Sequence, residues 1–215
     1  MKIHDDLNMQ TPEQALIKNL TGRLDDESAT EKLAKLFAES LQILATQHTQ
    51  ELKNLPGWVD TQISDGLVIY LEGNLGAGKS FFSRALIQSF LPGQKVKSPT
   101  YTLVETYEGP LGEIHHFDLY RLCDPEELEF LGIRDLLKTH FLSLVEWPSK
   151  GEGVLQGADL VVQLQHATEV DDDNKHEAGR LFTITPVTDT GGRLVKNLAE
   201  LMNNSGMVFG SQGVE

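Results

Sequence analysis

The sequence predicts an α/β protein, a three-layer sandwich in which a mixed, mostly parallel sheet lies between helices. Three observations predict it. Leu67-Val68-Ile69-Tyr70-Leu71 is a continuous apolar run of strand length, as expected of a strand buried on both faces of a parallel sheet. A glycine-rich loop and a helix-forming stretch follow it directly. Further apolar runs of strand length then alternate with helical segments in a chain of 215 residues, enough for one domain with a sizeable core.

Residues 1 to about 27 are polar and mostly patternless, and read as an N-terminal tail or a loosely packed helix. Ser28 and Glu31 have capping-box spacing, and Leu33, Leu36, Phe37, Leu41 and Leu44 recur behind them at helical intervals. A helix from about Thr30 to Gln47 follows from that pattern. The polar segment up to Asp65, broken by Pro56-Gly57, reads as an insertion or long loop. Beyond the apolar strand and its loop, a helix runs from Lys79 to about Phe90, where Pro92-Gly93 stops it. Thr102 to Tyr107 and Glu113 to Asp118 read as two strands around the turn Gly109-Pro110-Leu111-Gly112. Asp124-Pro125-Glu126-Glu127 carries a cap residue, a proline at the first helical position and first-turn acids, which favour a helix start. Phe141 to Val145 is a second buried strand, closed by Glu146-Trp147-Pro148. Leu160 to Leu164 and Leu181 to Thr185 read as strands, and the acidic stretch Glu169-Val170-Asp171-Asp172-Asp173 between them as a solvated loop. Arg193 to Met202 forms a last helix, followed by a frayed tail. The domain is therefore expected over 28–203, with inserted segments near 46–65 and 168–179 and tails at 1–27 and 204–215.

Composition narrows the function. The formal net charge is −14, so the chain repels a phosphate backbone, and any RNA in its pathway is expected to reach it through a partner. Cys123 is the only cysteine, which excludes an intramolecular disulfide and suits a reducing compartment. The first 26 residues lack the basic start and apolar stretch of a signal peptide, and no apolar run is long enough to span a bilayer. A soluble, cytoplasmic protein with no membrane contact is expected.

Gly73-Asn74-Leu75-Gly76-Ala77-Gly78-Lys79-Ser80 matches G-x-x-x-x-G-K-[ST] at every fixed position, the pattern of a nucleotide-binding P-loop. The chemistry explains the residue types. Successive backbone N–H groups turn inward to make an anion nest, and only small residues let the chain wrap so closely. The following helix aims its positive end at the same anion. Lys79 supplies a cation for the β- and γ-phosphates and Ser80 a hydroxyl for Mg²⁺. A chain of this length meets the pattern by chance on the order of once in a hundred. A strand before the loop and a helix after it reduce that rate further. The fold class is accordingly P-loop NTPase-like, with ATP or ADP and Mg²⁺ as the expected ligands and Phe81, next in the helix, among the nucleotide contacts.

A nucleotide-bound Mg²⁺ takes further oxygen ligands, and an acid at the end of a neighbouring buried strand supplies one in P-loop proteins. Glu146 and Asp118 each close such a strand. The alternatives are a strand-end charge for Glu146 and a cap or turn acid for Asp118, the latter on sequence alone as good an account as a site role. Lys97-Ser98-Pro99-Thr100-Tyr101-Thr102 stands where nucleotide switches put a threonine that senses the γ-phosphate, although a hydroxyl-rich turn beside a proline also explains it. His115 and His116 are adjacent on a strand and face opposite sides, against a shared metal. Trp147 alone reads as core. Asn174-Lys175-His176-Glu177 has Glu where the guanine-reading N-K-x-D has Asp, it follows a charged run, and no D-x-x-G follows Asp118, so a GTPase is disfavoured. A small-molecule kinase would bring an arginine-bearing lid, and Arg23, Arg84, Arg121, Arg134, Arg180 and Arg193 include no close pair.

Four blocks together resemble one family. These are Leu71 to Ser80, Lys97-Ser98-Pro99-Thr100-Tyr101-Thr102-Leu103-Val104, His116-Phe117-Asp118-Leu119-Tyr120-Arg121-Leu122 and Val145-Glu146-Trp147-Pro148, and they look like TsaE, also called the YjeE family, in order and interval over roughly Ser28 to Met202. The resemblance implies a P-loop ATPase of bacterial tRNA threonylcarbamoyladenosine biosynthesis that binds Mg·ATP, hydrolyses it slowly and acts with the TsaB–TsaD pair, meeting tRNA only through that complex. It further implies that Lys79 and Ser80 hold phosphate and metal and that Glu146 is the Walker-B-type metal ligand. Asp118 would assist the metal or the attacking water. Thr100 and Thr102 would belong to a switch-like segment, with Thr102 among the catalytic groups, and Trp147 would sit beside the nucleotide. The chain departs from the usual short pattern in its N-terminal tail, in the polar segment from about Thr46 to Asp65 and in the insert from Thr168 to Gly179, none of which touches a motif. Ser80 in place of the commoner threonine keeps the hydroxyl. Two working modes stay open: hydrolysis as the working step, or a nucleotide-gated binding module in which occupancy alone matters. An unrelated P-loop small-molecule kinase is the outside reading.

Overall fold

A computed structural model of the protein describes residues 18–54, 66–99, 101–137, 141–167 and 179–213. Its frame is one eight-stranded sheet in the order β3-β4-β5-β2-β6-β7-β1-β8. β2 (Leu67–Glu72) lies in the middle, with β4 (Gly112–Asp118), β5 (Leu142–Glu146) and β6 (Leu160–His166) parallel to it. The flanks are antiparallel: β3 (Val104–Gly109) on one edge, and β7 (Arg180–Pro186), β1 (Lys18–Leu24) and β8 (Phe209–Gly213) on the other. The mixed sheet with a parallel centre and helices on both faces is the three-layer arrangement that the apolar runs predicted.

Period-2 alternation along β2 divides its side chains between two cores. Leu67, Ile69 and Leu71 face the helices α1 (Glu27–Lys53), α2 (Lys79–Phe90) and α5 (Asp189–Asn204). Val68 and Tyr70 face the smaller layer, where α3 (Glu127–Phe130), α4 (Ile133–Leu136) and a 3₁₀ turn (Pro148–Gly151) cover Phe117, Leu128, Ile133 and Val145. On the thick face Phe37 of α1 meets Phe82 of α2 edge to face at 5.3 Å, which fixes the helix that follows the glycine-rich loop. α5 starts earlier than its apolar pattern suggests, because Thr188 caps it by accepting the Gly191 N–H at 3.2 Å.

Several expectations change. Lys18–Leu24 and Phe209–Gly213, read as parts of the two tails, are strands β1 and β8, paired with one another. Asp26, not Ser28, caps α1, accepting the Ala29 N–H at 2.7 Å, and the helix continues to Lys53, through the first part of the supposed loop. The helix start expected after Asp124-Pro125 is there, as a single turn that Gly132, at φ 65°, separates from a second one. Residues 55–65 and the acidic stretch Glu169 to Asp173 lie outside the described residues. Among the described residues no helix is long and apolar enough to cross a membrane.

His115, fully buried on β4, yields a pH prediction. Burial is the largest influence on its pKa and lowers it below 6.5, while the Glu113 carboxylate 3.7 Å away opposes that in part. The unfolded chain therefore takes up a proton at this side chain that the folded chain resists, so the stability present above pH 6.5 is lost as the pH falls below it. Chemical denaturation at about pH 7.5 and about pH 5.5 should show the parent losing more stability on acidification than His115→Gln. Equal losses would assign the acid sensitivity to other groups.

Candidate functional site

The carboxyl ends of β2, β4 and β5 stop in register. Leu71 pairs with Glu146, and Asp118 with Glu146, so both acids stand at the edge from which the glycine-rich loop leaves β2. A crevice at this edge, beside the central strand, is where open α/β sheets bind ligands. Gly73 begins the loop at φ 137°, and a Cβ there would lie 2.1 Å from the Leu164 carbonyl oxygen on β6, so only glycine lets the loop pass. Gly78 ends it in the left-handed region at φ 104°. α2 then starts with no side-chain cap and no acid in its first turn, leaving its first N–H groups for an anion.

A cleft of about 480 Å³ lies over this helix start, lined among others by Gly76, Lys79, Ser80, Asp118, Glu146 and Trp147. Lys79 is 4% exposed; its Nζ donates to the carbonyls of Gly73 at 2.6 Å and Asn74 at 3.1 Å and lies 3.8 Å from the centroid of the Trp147 ring. Burial pushes its pKa down, and the Glu146 and Asp118 carboxylates push it back up. Ser80 Oγ donates to Glu146 Oε2 at 2.8 Å, which joins the start of α2 to the end of β5. His116 Nε2 lies 2.7 Å from the other Glu146 oxygen, so both oxygens of this 1%-exposed carboxylate are held. Asp118 accepts from Ser98 Oγ at 2.9 Å and, through its other oxygen, from the Tyr120 N–H at 3.2 Å.

Of the expected site residues, Lys79, Ser80, Asp118, Glu146 and Trp147 come together, and Leu75, Gly76, Gly78 and Phe81 line the same cleft. Ala77 is wholly buried in the loop wall, while Gly73 and Asn74 face a neighbouring cleft of about 780 Å³ across Trp147. The larger cleft lacks Lys79 and both strand-end acids, which line the smaller one. Thr102 is exposed and donates to Glu105 at 3.0 Å, outside the cleft lining, and Thr100 lies outside the described residues. Ser98, from the same segment, donates to Asp118. His116 was dismissed only as a metal ligand. Its position two residues before Asp118, on the same face of β4, was the signal that it accompanies the acids. Arg121 and Arg180, distant in sequence, both reach the cleft, so the absence of a close arginine pair says little about its charge.

The donor set fits a magnesium-bound polyphosphate. Ser80, Glu146 and Asp118 offer hard oxygen ligands beside a buried cation and an open helix start. Among the described residues no three His, Cys, Asp or Glu side chains could enclose a metal. A cation held here would thus draw its remaining ligands from phosphate and water, as Mg²⁺ does.

Comparison with known proteins agrees with the motif blocks. The family profile described as threonylcarbamoyl adenosine biosynthesis protein TsaE matches residues 24–176. The "tRNA threonylcarbamoyladenosine biosynthesis protein TsaE" of Haemophilus influenzae is 42% identical over 150 residues, 70% of this chain and 84% of that protein. Its namesake in Rickettsia felis is 35% identical over 153 residues, 71% and 74% of the two chains. The crystal structure of YdiB from Bacillus subtilis superposes with a TM-score of 0.60 over 87% of this chain and 98% of that one, at 24% identity, a likeness of fold.

Phosphate around Lys79 would reverse the lowering of its pKa, so binding takes up a proton in the alkaline range and weakens as the pH rises there. With ATP as the probe, Lys79→Ala should bind more than tenfold more weakly, on the order of the 1.5–3 kcal/mol of a charge-assisted contact. It should also lose the alkaline decline of the parent. A folded variant with parental affinity would remove Lys79 from the phosphate site.

Proposed function

The chain belongs to the TsaE family, and on that premise we propose that it is the ATP-binding, slowly ATP-hydrolysing component of the machinery that makes N6-threonylcarbamoyladenosine in tRNA. It acts in the cytoplasm beside a TsaB–TsaD-type complex, and that complex presents the tRNA. The acidic chain, at a net charge of −14, is suited to a component that need not grip RNA itself. The observation that carries the reading is the Ser80–Glu146 hydrogen bond at 2.8 Å, which brings the loop hydroxyl and the strand-end acid to one point beside Lys79.

The loop N–H groups and Lys79 bind the β- and γ-phosphates, and Lys79 exchanges its two loop carbonyls for phosphate oxygens. Ser80 and Glu146 would hold Mg²⁺, which would supply charge neutralisation to the phosphates. His116 fixes the Glu146 carboxylate from behind. Asp118, held by hydrogen bonds to both its oxygens, would orient water or the metal shell. Adenine is preferred to guanine, because no N-K-x-D follows a buried strand.

The Ser98–Asp118 bond supports the second working mode as well. It ties the metal-side acid to the segment that leads to Tyr101, which is 85% exposed. Occupancy of the site could order that segment for docking without hydrolysis. Capture of the TsaB–TsaD pair by the parent protein with ATP, ADP or no nucleotide tests the partnership. Nucleotide-independent capture would sink the gated mode, and no capture under any condition the partnership itself.

Single-turnover cleavage across a Mg²⁺ series tests the acids. Glu146→Gln should slow ATP hydrolysis by a large factor while Mg²⁺-independent binding changes little, and Asp118→Asn should also be slow. If both serve one centre, the double variant loses less than the product of the single effects. Parent-like rates in Glu146→Gln at every Mg²⁺ concentration would remove that residue from the centre, and full additivity would return Asp118 to a turn acid.

A further inference from the structure

The edge of a sheet presents unpaired N–H and C=O groups, and proteins blunt it with charge, proline, bulges or cover. The two edges of this sheet are built differently. β3 carries Glu105 and Glu108, and β4 beside it carries Glu113 and Asp118, with no lysine or arginine on either strand. β8, Phe209-Gly210-Ser211-Gln212-Gly213, has no charged residue and no proline. Its pairing with β1 runs unbroken from Phe209 opposite Gly22 to Gly213 opposite Lys18, so no bulge turns the strand aside. Among the described residues no strand lies on its other side.

Charge separates the two edges further. β1 has no acid, and its charged residues are Lys18 and Arg23. In a chain of net charge −14, two copies can therefore meet along the β1–β8 edge with little repulsion, and along the β3–β4 edge they cannot. An antiparallel edge strand is complementary to itself about a twofold axis. Full overlap of two five-residue strands centres that axis on Ser211, which is exposed. Val208, 86% exposed directly before the strand, adds apolar surface at each end of the joint. The axis stands perpendicular to the sheet, so the carboxyl edges of the two parallel centres face opposite ways and both loop clefts stay open.

We propose that β8 is a self-association edge: a second copy of this chain pairs with it, β8 to β8, antiparallel and centred on Ser211. One sheet then continues through both copies. A joint of five residues a side is smaller than a standard interface, so the association is weak, with a dissociation constant between about 10 µM and about 1 mM. The proposal is independent of what the cleft binds.

The test is sedimentation of the full chain over that concentration range, for the parent, Ser211→Lys and Ser211→Glu. In a joint centred on Ser211 each variant sets like charges opposite one another and should weaken dimerisation by about fivefold or more. An equimolar mixture of the two variants sets opposite charges there and should dimerise at least as well as the parent. A parent that stays monomeric throughout would overturn the proposal, as would variants that dimerise like the parent or a mixture no better than its components. Stronger assembly of Ser211→Lys alone would also overturn it, because β8 would then be meeting the acidic β3 edge in an open, head-to-tail array. Should either substitution unseat the strand, amide hydrogen exchange in the parent carries the test. Protection of the β8 amides should rise with protein concentration, and protection that does not change with concentration would overturn the proposal.

Discussion

The site depends on holding one buried carboxyl group in place with hydrogen-bond partners. Glu146 is 1% exposed at the end of a central strand, where an isolated carboxylate would cost several kcal/mol to desolvate. Two hydrogen bonds offset that cost, one from Ser80 and one from His116. Each partner imposes a structural demand. Ser80 reaches Glu146 only if α2 starts directly beyond the end of β2, which the tight loop ensures. His116 reaches it only if β4 and β5 keep the register that sets Asp118 opposite Glu146. A slip of one residue in that register would turn His116 to the other face and leave the carboxylate with one partner.

The unequal layers of the sandwich follow from the same geometry. The thick face, with α1, α2 and α5, contains most of the apolar core and anchors the loop helix through the Phe37–Phe82 contact. Among the described residues the thin face carries one-turn helices over β4 and β5. A helix start that must stay fixed is thus seated on the deep core. The segments from Leu119 to Leu137 and from Trp147 to Gly151, which border the acids, rest on the shallow one, where rearrangement costs less.

How far the sequence reveals this depends on how local each signal is. β2, the loop, α2, β4, β5 and the place of Lys79 and Ser80 at the start of α2 were legible because continuous apolar runs and a fixed motif are local patterns. β1 and β8 were not. Lys18-Asn19-Leu20-Thr21-Gly22-Arg23-Leu24 is an edge-side strand in which Leu20 and Leu24 face the core, and a pattern that sparse is outweighed by the polar residues between them. Asp26 displaced Ser28 as cap because either residue type can cap a helix, and only backbone geometry decides. Arg180 was counted with the scattered arginines because its approach to Gly78 depends on the crossing from β6 to β7, which no spacing records. Sequence distance misleads there in a further way. The insert from Thr168 to Gly179, remote from every motif along the chain, is flanked by Ala167 and Arg180, and Arg180 touches the loop.

Trp147 shows how one strained residue joins the two halves of the site. It is one of two non-glycine residues with positive φ among the described residues, at φ 59°, a conformation that costs of order 1–3 kcal/mol. The strain turns the chain from β5 into the 3₁₀ turn directly after Glu146. An extended Trp147 would continue the strand and carry its ring away from the loop. In the left-handed conformation the ring instead lies under Lys79, with Tyr120 5.0 Å from it on the side of Asp118. A face-on cation contact to a buried ammonium is worth about 2 kcal/mol when desolvated, comparable to the strain. The indole thus positions the lysine without neutralising it, as a third carboxylate would. The residue next to Glu146 thereby holds the Lys79 ammonium in place beside the cleft.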